Sequence, residues 1–261
     1  MSRAWMTPAQ AKDALEHGRG NGVKIAIIDS GVEAAHPSFG ALALVDDIAI
    51  VQQDDGLVIE EGGGRDAFGH GTAVAWSALQ TAPEARIGSF RVLDGRNLSK
   101  SHAVCRAALL AIERGYHIIN CSIGAGIKEQ VLMYKDWVDR AYLAGVHVVA
   151  ACNNLDFRRL EWPGHFSSVI TVNMLAAPRE DRLYRNQGVS LVEFAAHGVN
   201  VRVPWKGGII IETTGSSFAA PRAAGMLARL LSSRPDLRPL EAKALLQVVA
   251  EPWPESQRQN N

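Results

Sequence analysis

Cysteine is scarce in this chain. Only Cys105, Cys121 and Cys152 occur in 261 residues. An odd number at wide spacing excludes a disulfide framework, and no CxxC pair is present to hold zinc. Such usage suits a reducing compartment. An excess of charge is missing too: 27 Lys+Arg stand against 27 Asp+Glu. No basic face points to nucleic acid and no polybasic run points to a membrane surface. No stretch approaches the ~20 apolar residues of a membrane span. The opening "MSRAWMTPAQ" lacks the charged-then-apolar order of a signal peptide. A cytoplasmic protein without nucleic-acid or membrane partners is expected. Internal repeats and low-complexity segments are absent. There is no G-x-S-x-G elbow, which argues against an α/β-hydrolase esterase, and no H-E-x-x-H, which argues against a metalloprotease. Gly62-Gly63-Gly64 follows no strand and lacks dinucleotide-binding spacing.

What is present is ordinary globular composition, with 47% hydrophobic and 21% charged residues. Residues 1–261 read as a single domain, with ends expected to fray over 1–6 and 252–261. Thr7-Pro8-Ala9-Gln10 predicts a capped helix start, and that helix should end near Gly18. "VKIAII" (23–28) is a continuous apolar run suited to a fully buried strand. Strands are predicted over 86–92, 117–122 and 146–151, with shorter runs at 168–173, 189–195 and 209–213. Helices are predicted from His70, over 101–114 and 128–144, and near 217–232 and 237–249. Strands alternating with helices predict an α/β fold: a mostly parallel central sheet between two helical layers, three layers in α/β/α order.

In such a sheet, ligands bind beyond the carboxyl ends of the strands. Asp29 directly follows the strand 23–28, and Asn153 follows the strand 146–151. His70 and Ser217 sit where a loop enters a helix, and so face the same edge. Asp, His and Ser are the groups of nucleophilic acyl transfer: serine needs a histidine to take its proton, and the histidine needs a carboxylate to fix its tautomer. An amide donor such as Asn153 can stabilise an oxyanion. Taken singly, each has a blander reading: Asp as a cap, His as a structural loop residue, Asn as a turn residue, the small-residue helix as packing. Their joint placement at one edge favours the chemical reading.

The segments "AIIDSGVEAAHP", "GHGTAVA", "NCSIGAG", "VVAACNN" and "GSSFAAPRAAG" resemble, in order, the motifs of subtilisin-like serine proteases. The resemblance covers about residues 20 to 250. It implies a subtilisin-like fold, with Ser217 as nucleophile, His70 as general base and then acid, and Asp29 as the orienting carboxylate. Asn153 and the Ser217 N–H would form the oxyanion hole. Ser122, Ile123 and Gly124 match the strand that pairs with extended substrate backbone, so the partner is a protein or peptide substrate. His36 matches a family His-Pro step and reads as structural.

Several positions depart from the family. Trp76 stands where glycine is common and is expected to pack. The helix after His70 lacks the Asn-rich calcium insertion of many relatives. No cofactor and no protein-held metal are therefore expected, with weak calcium binding left open. "VDD" (45–47) and "QQDDG" (52–56) read as solvated loop charge. Cys152 replaces the glycine of "AGN" and Cys121 precedes the substrate-pairing segment. Both read as small buried hydrophobes, the alternative being thiols whose modification inhibits. Glu161, before Trp162-Pro163, falls at the base of the S1 pocket. There it would favour Lys or Arg at P1, unless it pairs with Arg158 or Arg159 or points to solvent.

Only 28 residues precede Asp29, too few to hold the inhibitory propeptide of secreted relatives. Either such a segment has been removed or this is a pared-down intracellular enzyme that folds alone. In the latter case restraint would come from substrate selectivity or from a regulatory or inhibitor protein. The function implied is a serine endopeptidase working through an acyl-enzyme, with a dedicated intracellular processing role in view. The alternatives are a transpeptidase or macrocyclase and a catalytically silent peptide-binding domain. No lid-length insertion favours the former, and the intact Asp29, His70, Ser217 and Asn153 argue against the latter. Oligomeric state is not read from the sequence.

Overall fold

A computed structural model of the chain describes residues 5–254 apart from Asp55 and Val189. Its elements in chain order are α1 (Pro8–His17), β1 (Lys24–Asp29), β2 (Asp47–Gln53), β3 (Gly56–Glu61), α2 (His70–Thr81), β4 (Arg86–Arg91), α3 (Ser101–Glu113) and β5 (Ile118–Cys121). There follow α4 (Val131–Leu143), β6 (His147–Ala151), β7 (Ile170–Leu175), β8 (Tyr184–Arg185), β9 (Phe194–His197), β10 (Val201–Trp205), β11 (Ile209–Thr213), α5 (Ser216–Ser233), α6 (Pro239–Val249) and β12 (Glu251–Pro252).

The main sheet runs β12-β8-β9-β7-β6-β5-β1-β4-β2-β3. From β2 to β9 every neighbouring pair is parallel, and only β3 and β8 run antiparallel to their neighbours in the core. Parallel strands need crossover helices, and these cover both faces. On one face α1, α2, α5 and α6 pack against Ile25, Ile27, Ile87 and Val149. On the other, α3 and α4 pack against Ala26, Ile28, Ile119 and Val148. The alternation of β1 side chains between the two clusters is the period of a strand buried on both sides. This is the three-layer α/β/α arrangement.

The predicted cap of α1 is formed: Thr7 N donates to Gln10 Oε1 (2.9 Å) and Gln10 N donates to Thr7 Oγ1 (3.3 Å). The segment expected to be helical from Lys128 begins as a 3-10 turn and becomes α-helical only at Val131. The larger corrections concern β structure. Residues 47–61 form the β2–β3 hairpin rather than a loop, with Ile48 and Ile50 buried. The acids of "VDD" are engaged: Asp46 accepts from Tyr116 Oη (2.7 Å) and pairs with Arg114, and Asp47 accepts from the Gly64 N–H, whereas Asp54 in the turn is exposed. Asp55 lies outside the described residues. Of the ends expected to fray, 1–4 and 255–261 lie outside the description. Met6, however, is buried, residues 251–252 pair with β8, and Trp253 is buried beside Tyr184. Among the described residues no helix is long and apolar enough to cross a membrane.

Candidate active site

The carboxyl edge of the sheet gathers the residues the sequence singles out. Asp29 ends β1, which lies near the middle of the sheet between β4 and β5. Its side chain is fully buried, and its Oδ1 accepts from Ser30 N (2.7 Å). His70 opens α2 and turns Nδ1 onto both carboxylate oxygens, at 2.8 and 2.9 Å. A carboxylate can only accept, so Nδ1 carries the proton and the neutral ring leaves Nε2 bare. Burial disfavours the imidazolium, but the charge and hydrogen bond of Asp29, with a contribution from Asp66, outweigh it and raise the His70 pKa.

Asp66 was not singled out in the sequence. It is buried and accepts from Ser30 Oγ (2.7 Å), Phe68 N (3.0 Å), Gly69 N (2.7 Å), Thr72 N (2.8 Å) and Thr72 Oγ1 (2.6 Å). Ser30 Oγ accepts in turn from Gly71 N (2.9 Å). This web ties the loop before α2 to the end of β1, fixing where the imidazole points. Its signal lay in "RDAFGHGT", where an Asp four residues before a helix can cap it. Gly69 has φ 120°, and a Cβ there would collide with the Trp205 indole, which stands edge-on to His70.

Ser217 is the second residue of α5, after Gly215 at the N-cap. Its N–H is one of the donors a helix start leaves free, and it has no partner among the described residues. Pro221 lies inside α5 and cannot donate to the Ser217 carbonyl four residues back. That carbonyl instead accepts from Ser122 Oγ (3.3 Å), itself a partner of Asn120 Nδ2 (3.0 Å). The neighbouring serine anchors the helix: Ser216 Oγ donates to Cys152 O (2.6 Å) and Ser216 N donates to Asn154 Oδ1 (2.8 Å). The start of α5 is thus pinned to the segments after β5 and β6. Among the described residues no hydrogen bond joins Ser217 Oγ to His70, but both line one cavity of about 370 Å³ with Ser122, Ile123, Gly124 and Asn153. Catalytic hydrogen bonds commonly tighten only when substrate is present.

Asn153 follows β6. Its Oδ1 accepts from Leu155 N (2.9 Å) and Asp156 N (3.0 Å), which directs Nδ2 into the cavity. There Nδ2 donates to Glu161 Oε1 (2.6 Å). Ala125 and Trp162 exchange both backbone hydrogen bonds (3.0 and 2.9 Å), tying together the segments that carry Gly124 and Glu161, while the Gly124 N–H and C=O remain unpaired among the described residues. His36 is buried, accepting from Ser38 N (3.1 Å) and donating Nε2–H to Ile209 O (3.1 Å), a structural role. Trp76 packs edge-to-face on Phe39. Cys121 and Cys152 are buried, and burial pushes both thiols up to about 12, which suits packing rather than reactivity. No three His, Cys, Asp or Glu side chains converge to hold a metal among the described residues.

Residues 20–260 match the Peptidase_S8 description, "Subtilase family". The chain belongs to the subtilase family of serine proteases. Subtilisin DY of Bacillus licheniformis is 28% identical over 245 residues, covering 89% of this chain and 85% of that protein. A thermostable alkaline protease of Halalkalibacterium halodurans is 29% identical over 225 residues, but the chain spans only 58% of its length. Among solved structures, sphericase superposes with a TM-score of 0.72 at 23% identity, covering 88% of this chain and 83% of its own, a likeness of fold. The fold expected from the sequence is the one this subtilase has.

Proposed function

We propose that this subtilase is a serine endopeptidase that hydrolyses peptide bonds in extended segments of protein or peptide substrates. The observation that carries this reading is the buried Asp29–His70 pair opening on the same cavity as Ser217 at the start of α5. His70 Nε2 takes the Ser217 hydroxyl proton as Oγ attacks the scissile carbonyl carbon. The imidazolium formed is held by Asp29, then returns the proton to the leaving amine. Water repeats the sequence on the acyl-enzyme. The Ser217 N–H, at a helix start where the peptide dipoles favour negative charge, and Asn153 Nδ2 stabilise the oxyanion. The unpaired Gly124 backbone offers a donor and an acceptor to an extended peptide, as an added strand would use them. Ser122 and Ile123 continue that edge. The chemistry needs no metal or organic cofactor.

Treatment with a fluorophosphonate, which phosphonylates an activated serine, tests this directly. Stoichiometric labelling of the wild type, lost in Ser217→Ala, is expected. Equal labelling of both, or none in a folded wild type, overturns the assignment.

A further inference from the structure

The side chain expected at the base of the S1 pocket is bonded to the oxyanion donor. Glu161 Oε1 accepts from Asn153 Nδ2 at 2.6 Å. Its Oε2 reaches across the pocket to Gly124, where a Cβ would come within 2.8 Å of it. The backbone beneath is held: Glu161 N donates to His165 Nδ1 (3.1 Å), and Trp162 is paired with Ala125. Neither neighbouring arginine neutralises the carboxylate. Arg158 lies over the Phe157 ring and Arg159 runs beside Gly126, and Glu161 forms no ion pair among the described residues. The carboxylate is half-buried and lines the same cavity as Ser217.

We propose that Glu161 couples the charge of the P1 side chain to the oxyanion hole, making this subtilase selective for Lys and Arg at P1 through the rate of acylation. The proposal rests on the reading of Asn153 as oxyanion donor. An Asn amide has two N–H groups. One is held by Glu161, which orients the amide and leaves the other for the oxyanion. An uncompensated carboxylate one amide away, however, repels the negative charge that develops on the substrate oxygen. A P1 ammonium or guanidinium entering the pocket pairs with Glu161 and cancels the repulsion where the charge forms. The interaction grows as the transition state forms, so it acts on kcat more than on KM. Like-charge repulsion across a few ångströms in such a site corresponds to about tenfold or more in rate.

The test compares peptides identical except for P1 arginine or its neutral isostere citrulline, with leucine as an apolar third, on wild type and Glu161→Gln. Gln keeps an acceptor for Asn153 and removes the charge. In the wild type, kcat for P1 arginine should exceed that for citrulline by about tenfold or more, with KM changing less. In Glu161→Gln the difference should collapse, partly because kcat for citrulline and leucine rises. Equal wild-type kcat for arginine and citrulline overturns the proposal without any variant having to fold. So does a preference confined to KM. Either result leaves the protease assignment intact, whereas failure to cleave any peptide together with no fluorophosphonate labelling removes that assignment instead.

Discussion

His70 is held between opposing forces. Burial drives its imidazole toward neutrality, while the Asp29 and Asp66 charges drive it toward protonation, and the charges win. A general base must be neutral to act. The acid limb of kcat/KM should therefore lie above the ordinary histidine pKa of about 6.5. Replacing Asp29 by Asn should lower kcat/KM by about 10⁴-fold and move the limb of the residual activity to lower pH. A pH–rate profile of both proteins checks the shift, and an unmoved limb would remove Asp29 as its cause. The sign for stability is opposite. A raised folded-state pKa gives stabilisation that is complete below the unfolded pKa and is lost as the pH rises through the folded value. The enzyme thus gains its base in the pH range where this contribution to folding fades. Of the residues in this balance, Asp29 and His70 were legible in the sequence because each stands at a recognisable strand end or helix start. Asp66 offered the sequence only a local capping signal, since its bond to Ser30 Oγ, which ties it to the end of β1, spans 36 positions and forms only in the folded chain.

At the scale of elements, the start of α5 shows how a local defect is made useful. Pro221 removes the N–H that would satisfy the Ser217 carbonyl, and Ser122 from the segment after β5 supplies the replacement. Ser122→Ala should therefore cost about 1–2 kcal/mol, because a half-buried carbonyl loses its donor. Pro221→Ala restores a helical N–H at that place. In the double variant the loss from Ser122→Ala should shrink, giving a coupling of about 0.5 kcal/mol or more in denaturant unfolding. Strict additivity would show that the two groups do not share this carbonyl. The sequence announced α5 through its small residues and its proline. It was silent on β2–β3, because Asp-rich flanks and a strand with one solvated face read as a loop. Pairing of β2 with β4 supplies the missing stabilisation.

The whole molecule carries a second titration, far from the cleft. His147 begins β6 and is buried, with Nε2 bonded to Leu237 O (3.2 Å) just before α6. Burial, with no carboxylate to oppose it, lowers its pKa to about 4. The unfolded chain takes up this proton first, so stability present at neutral pH is lost as the pH falls from the ordinary histidine range toward about 4. Between about pH 7 and pH 5 the loss from this group should be roughly 2 kcal/mol. Urea unfolding across that range measures it. In His147→Gln, which keeps a donor for Leu237 without titrating, the pH dependence should flatten by that amount. An unchanged slope would assign the acid sensitivity elsewhere.

The sequence by itself determined the alternation of strands and helices, the order of the five motifs, and the edge of the sheet at which the reactive side chains emerge. Those are local properties: apolar period, capping residues, and small side chains where a helix must approach closely. Tertiary structure alone decided the distances. It brought Asp29 to His70 across 41 positions and Ser122 to Ser217 across 95. It also laid Glu161 on Asn153, eight residues away, rather than on the adjacent arginines. Hydrogen bonds between segments depend on how strands register and where loops close. No local period encodes those relations, so Asp29, His70, Asn153, Glu161 and Ser217 could be singled out from the sequence while the hydrogen bond between Asn153 and Glu161 could not.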